Sequence, residues 1–171
     1  MRFSWGFDEE ADQCRQMKQE LLQQIMALRQ TGVTQFMVAC DPGVGLYAAE
    51  EINVLRQTDS ELQLFCVTPY EEQANKWAPY LRERYFDILI KCTHISAVNQ
   101  RKTPTAQIDA YKTIINLSQV VLAIYDPASY RGDAVDQAID YAIELEIPVI
   151  AIHPDTLSCM VLSPRQDNLL H

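Results

Sequence analysis

The stretch Ala39-Cys40-Asp41-Pro42-Gly43-Val44-Gly45-Leu46-Tyr47-Ala48-Ala49-Glu50 decides the fold. It joins the apolar run Phe36 to Cys40 to a helix-forming run of small residues through a loop with two glycines. Such a junction is where parallel α/β sheets hold ligands. Gly43 and Gly45 let the backbone turn and present amide N–H groups at the start of the next helix, where an anion is the natural guest. The loop is not the full dinucleotide fingerprint, since Ala48 stands where the third glycine would fall and no P-loop lysine with serine or threonine follows. The same glycines equally suit a tight turn that binds nothing.

Outward from this loop, apolar periodicity alternates between helix and strand. Cys14, Met17, Leu21, Ile25 and Leu28 recur at steps of three or four and predict an amphipathic helix over residues 8–30, stopped at Gly32. Strands are expected at 35–40, at 62–67 ending at Thr68-Pro69-Tyr70, and at 94–98. A long helix from Glu71 is expected to kink or split at Pro79, and another opens at Thr103-Pro104-Thr105. Val120 to Tyr125 is a continuous apolar run, the pattern of a central strand buried on both faces. A helix over 133–146, a strand over 147–153 and an irregular tail over 157–171 complete the chain. The expected fold is α/β: a single three-layer domain over residues 1–171, with a mainly parallel sheet of about five strands. No internal repeat or linker interrupts it.

Composition sets limits on function. The chain has 171 residues, 48% of them apolar, and a net charge of −9 from 14 basic and 23 acidic side chains. Such acidity repels phosphate backbones, so nucleic acid is not expected as a partner. No apolar run reaches membrane-spanning length, and the acidic run Asp8-Glu9-Glu10 directly after residues 1–6 argues against a signal peptide, so no membrane partner is expected. Five cysteines without a C-x-x-C pair predict buried free thiols and a cytoplasmic location. Cys14, Cys40, Cys66 and Cys92 are evenly spaced, which reflects βα unit length, and no metal site or cofactor is expected.

Loops leaving the carboxyl ends of parallel strands gather on one edge, so residues 41–45, 69–73 and 126–133 should meet there. Gly43, Gly45 and Gly132 would supply amide donors, Arg131 a cation for a carboxylate or phosphate, and Tyr70 a ring for a base. Asp41, Asp126 and Asp133 suit ribose hydroxyls, a cation or acid–base work, and they suit helix caps and turns equally well. Glu50, one turn into its helix, either faces the pocket or simply favours the helix start. No catalytic residue can be named: the three histidines lie far apart in sequence and no nucleophile elbow or zinc-binding pair occurs.

Several segments together resemble the YpsA-like family of the SLOG superfamily, Rossmann-like domains related to the DNA-uptake protein DprA and to the cytokinin-activating LOG enzymes. They are residues 4–9 (Ser-Trp-Gly-Phe-Asp-Glu), Ala48-Ala49-Glu50, residues 72–77, residues 82–89 and residues 118–125. The resemblance implies a nucleotide or nucleotide-derived ligand, bound in a binding or regulatory role; a homo-oligomer is expected because exposed strand edges invite pairing. It also marks departures. The chain begins at a piece that in the family follows a first, centrally placed strand and a T-G-H-R-P loop. The family's G-M-A-x-G-V-D reads Ala39 to Gly45 here, its R-N falls on Ala110 and Tyr111, and its glycine-threonine turn reads Gly132-Asp133. The pocket is therefore expected to be partly eroded. Without the first strand, the sheet is expected to close the gap, to borrow a strand from residues 2–5, or to pair with another chain. Two rival readings are LOG-type N-glycosidic hydrolysis of a nucleoside monophosphate, for which P-G-G-x-G-T-x-x-E is missing, and a ligand-free interaction module.

Overall fold

The computed structural model describes residues 3–163. Besides a 3-10 turn at Pro127–Ser129, eleven elements follow in chain order among the described residues: α1 (Asp12–Gln30), β1 (Gln35–Val38), α2 (Val44–Leu55), β2 (Gln63–Tyr70), α3 (Pro79–Lys91), β3 (His94–Asn99), α4 (Ala106–Asn116), β4 (Val121–Ile124), α5 (Ala134–Glu144), β5 (Val149–Ile152) and β6 (Cys159–Leu162). The α/β alternation matches the sequence pattern, but the strands form two sheets. In one, β1, β2 and β3 are parallel in that order, with Val38 opposite Cys66 and Cys66 opposite Ile95. In the other, β4 and β5 are parallel and β6 returns antiparallel to β5.

The two sheets lie side by side in one layer between helices. On one face, α1, α2 and α3 bury Met17, Ile25, Leu46, Ile52 and Ile88 in a core that also takes Ile124 and Ile152 from the second sheet. On the other, Ile115 of α4 and Ile139 and Ala142 of α5 pack on Val149 and Ala151. β5 shows the division most clearly, with Ile152 in the first core and Val149 and Ala151 in the second, which is why its sequence reads as a continuous apolar run.

Several expectations are corrected. Residues 71–78 are turns, and Pro79 starts α3 because a first-turn residue needs no amide hydrogen. β2 runs through Pro69 to Tyr70. Leu64 accepts from Thr93 of the β3 side, so Pro69, an odd number of residues on, turns its nitrogen toward β1, which has already ended. The tail forms β6, and its residues 164–171 lie outside the described part. Residues 3–7 form turns, with Trp5 buried and the Phe3 ring stacked on it at 4.8 Å, so they lend no strand.

The largest correction concerns Val120 to Tyr125. β4 is an edge strand, and Val121, Leu122 and Ala123 remain only half-buried, as do Phe36, Met37 and Val38 of β1. The two edges face each other across an apolar slot of about 650 Å³, roofed by α1 and α2 and floored by α4 and α5. The gap stands where the resemblance expects a central first strand, and it has not closed.

Candidate functional site

The carboxyl ends of β1 and β4 meet at one rim of this slot. Gly43, at a φ of 94°, caps the start of α2, and Gly45 lies in its first turn. A β-carbon on Gly43 would still leave 4.0 Å to the Phe7 ring, so its backbone angle and not crowding calls for glycine. Gly45 is different: a β-carbon there would stand 2.7 Å from Asp41 Oδ1. The Asp41 carboxyl thus fills the volume in which a side chain at position 45 would begin.

Asp41 is held from the other helical layer. The Tyr111 hydroxyl of α4 donates to Asp41 Oδ2 at 3.1 Å. Enclosure by protein pushes the Asp41 carboxyl above its ordinary range, against the hydrogen bonds from its own backbone and Tyr111. Burial likewise raises the Tyr111 hydroxyl, with Asp41 and then Asp133 adding to it, which puts the loops after β1 and β4 around one phenol. Tyr111 thus links α4 directly to the loop after β1. Sequence reasoning did not count Tyr111 among the expected site residues, because a contact with Asp41, 70 positions away, leaves no local signal.

The loop after β4 is organised by carboxylates. Asp133 accepts from the Val135 amide at 2.9 Å and the Asp136 amide at 3.2 Å, and Asp136 Oδ2 accepts from the Arg131 amide at 2.7 Å and the Asp133 amide at 3.2 Å. This reciprocal cap closes the start of α5. Asp136 is fully buried and also accepts from the Tyr125 hydroxyl at 3.0 Å. It was not among the expected site residues, though the Asp133-x-x-Asp136 spacing carried the cap signal. Gly132, at a φ of 72°, offers its carbonyl to Gln137. Asp126 accepts from the Ala128 amide and the Ser129 hydroxyl, which hold its pKa down, and lies 3.7 Å from His153. Arg131 is exposed and borders a small cavity of about 40 Å³ with Phe3, Asp126 and Asp155. That space suits a water and not a nucleotide.

Two expected residues stand apart from the rim. Tyr70, at the end of β2, pairs with Asn99 of β3, on the far side of β1 from the slot. Its neighbouring loop reaches the first one through Gln73, whose amide donates to the Ala39 carbonyl at 3.2 Å. Glu50 is held by Arg84 in two hydrogen bonds of 2.7 and 2.8 Å, and Arg84 also binds Glu9. Three of the evenly spaced cysteines do converge, because successive βα units set equivalent positions on neighbouring strands. Cys66 lies against Cys40 and Cys92; the Cys40 contact and burial raise its pKa and keep it a thiol.

The YpsA family model, described as the YspA SLOG family, matches residues 3–157. A UPF0398 protein of Halalkalibacterium halodurans is 32% identical over 112 residues, covering 64% of this chain and 59% of that protein. A UPF0398 protein of Bacillus pumilus is 24% identical over 160 residues, covering 91% and 84%. One of Bacillus thuringiensis is 29% identical over 112 residues, covering 64% and 61%. The chain thus spans less than two thirds of the length of the first and third of these relatives.

Proposed function

The chain belongs to the YspA SLOG family, and from that premise we propose that it is a binding or regulatory module for a nucleotide or nucleotide-derived ligand, whose anionic group sits at the start of α2. The observation that carries this reading is the bareness of that helix start: its N-cap is Gly43, no side chain caps it and its first turn holds no acid. The amides there meet the positive end of the helix dipole, the pattern that attracts phosphate or carboxylate. Asp41, whose carboxyl is raised by burial and accepts from the Tyr111 hydroxyl, is the acid nearest this start. Arg131 is the cation of the neighbouring loop. The reading stops at binding because the acid a LOG-type hydrolysis would need at the ribose has no evident source: Glu50 is engaged by Arg84.

Isothermal titration against a panel of nucleoside mono- and diphosphates, dinucleotides and ADP-ribose tests it. Heat from at least one member is expected, together with its loss in Gly45→Asp, which sets a second carboxylate over the helix start. Absence of heat from every member at millimolar ligand overturns the reading.

A further inference from the structure

The turn between β5 and β6 is organised around one imidazole. Its backbone closes twice: the His153 amide donates to the Ser158 carbonyl and the Leu157 amide to the His153 carbonyl, each at 2.9 Å. Inside this loop the Asp155 and Thr156 amides both point at His153 Nδ1, at 3.1 and 3.2 Å. Nδ1 is therefore an acceptor, and the neutral ring bears its hydrogen on Nε2. Nε2 lies 3.7 Å from Asp126 Oδ1, just past the carboxyl end of the neighbouring strand β4. Asp126 is fixed in turn by the Ala128 amide and the Ser129 hydroxyl. The loop also stores backbone strain. Leu157 sits at a φ of 58°, a left-handed angle that residues other than glycine seldom adopt, and packs against the first core. The charged side chains around the ring are Asp126, Asp155 of its own turn, and Arg131, which borders a small cavity with both acids. From α1, Glu20 accepts from the Cys159 thiol beside the turn.

We propose that His153 is a pH-sensitive latch: a proton taken up at Nδ1 releases the Asp155 and Thr156 amides, opens the β5–β6 turn and draws the ring to Asp126 as an ion pair. A charged imidazole has two N–H donors and no acceptor, so its Nδ1–H would face two further donors. Both amides then lose their partner, and the strained angle at Leu157 favours letting the loop go. On the other side of the ring the change has the opposite sign, because the Asp126 carboxylate gains a cation. One proton thus exchanges one set of contacts for another, which makes the turn a two-state element. The proton has a path from solvent, since the His153 side chain is 21% exposed. Two regions would feel the switch. The turn leads into β6, whose Cys159 reaches Glu20 of α1, and Asp126 opens the loop that carries Arg131 and Gly132 to the rim. This inference does not depend on the nucleotide reading, because it concerns only how the turn is held.

The test follows the full chain by NMR across the range in which imidazoles ordinarily change charge, about pH 8 to 5. Ring nitrogen shifts report which nitrogen of His153 holds the proton and when the ring becomes charged. Amide exchange, expressed as protection relative to the unfolded chain at each pH, reports the turn. The expected result is the Nε2–H form at the alkaline end, then a fall of about tenfold or more in the protection of the Asp155 and Thr156 amides in step with charging of His153, with amides inside the β1–β2 ladder unchanged. His153→Asn, whose side-chain oxygen can cap the same turn and does not titrate, is expected to keep protection constant over the range. Asp126→Asn, which removes the partner of the charged ring, is expected to move the fall to lower pH. The proposal is overturned by a proton on Nδ1 at the alkaline end, by a ring that stays neutral throughout, or by protection that does not change as the ring titrates. It is overturned equally by the same fall in His153→Asn, which places the titration on a carboxylate such as Asp155, by an unmoved fall in Asp126→Asn, and by a parallel loss in the β1–β2 ladder, which marks unfolding of the whole chain.

Discussion

The helix starts at Gly43 and at Asp133 lie at the same rim and solve the same problem in opposite ways. A helix leaves its first amides unpaired and its positive dipole end exposed. At α5 the protein answers with its own carboxylates: Asp133 and Asp136 bind the amides reciprocally, and no charge is left for a guest to supply. At α2 the cap is a glycine, and the nearest acids are occupied elsewhere, Asp41 by Tyr111 and Glu50 by Arg84. One start is closed by the fold's own carboxylates; the other, like the starts of α3 and α4, carries no side-chain cap. The contrast also limits how far charge argues: the rim is acidic, yet each acid is spent on a structural contact or pushed toward its neutral form.

The contrast is broken most severely at position 45. Gly45→Asp drives a side chain into Asp41 and brings two carboxylates into one enclosed space, so a loss of about 3 kcal/mol in urea unfolding is expected. The double variant Asp41→Gly, Gly45→Asp returns the acid to the family's position and should recover most of that loss. A double variant no more stable than the single one would show that Asp41 does not stand in for the acid at 45.

Next in size is Arg84→Ala. It frees Glu50 and leaves Glu9 with Lys18 alone; these are half-buried partners, so a cost of about 2 kcal/mol is expected. Glu9, whose pKa is pushed up by burial but held below the usual range by Arg84 and Lys18, should titrate higher in the variant. An unchanged unfolding midpoint would mean that the network is a surface feature and that Glu50 is available to the rim after all.

α2 also carries an acid it does not use. Glu51 is buried far enough to raise its pKa to about 8, with nearby Glu50 adding and Lys18 opposing, and its Oε2 finds no hydrogen-bond partner among the described residues. Its folded-state pKa lies above the unfolded one, so the fold retains a proton that the unfolded chain has released. That stability is complete below the ordinary carboxylate range and is lost as pH rises through about 8. Glu51→Gln should flatten this part of the decline and raise stability at pH 9 by about 1 to 2 kcal/mol, discounted for the partly solvated side chain. The same fall in both proteins would place the titration elsewhere, with Asp41, which shifts in the same direction, the first candidate.

How much of this was legible follows from the range of the interactions. Helix faces such as Cys14, Met17, Leu21 and Ile25, and strands such as Phe36 to Val38, are written in local periodicity and appear as read. Pro69 within a strand was not, because whether a missing amide matters depends on where the neighbouring strand stops. The apolar run at 121–124 was read as central because its composition belongs to a strand with neighbours on both sides; only the assembled layer shows that one side is open. At the rim, Gly43 could be read from its loop, but the Asp41–Tyr111 contact joins residues 70 positions apart. Glu50 was placed by its distance along the helix, while its fate was decided by Arg84 on another helix.

The smallest expected effect tests the finished helix start itself. Asp133→Ala removes the acceptor of two amides and should cost about 1 kcal/mol, whereas Asp133→Asn keeps a capping oxygen and should cost only a few tenths. The pair separates capping from charge, because both variants lose the carboxylate and only one loses the cap. If capping is what closes α5, Asp133→Ala should also let this start bind sulfate, seen as stabilisation that grows with sulfate beyond that of the unaltered protein, while Asp133→Asn should not. Equal behaviour of the two variants would show that charge alone distinguishes the two starts, and the bareness of α2 would then lose its weight as a sign of a ligand.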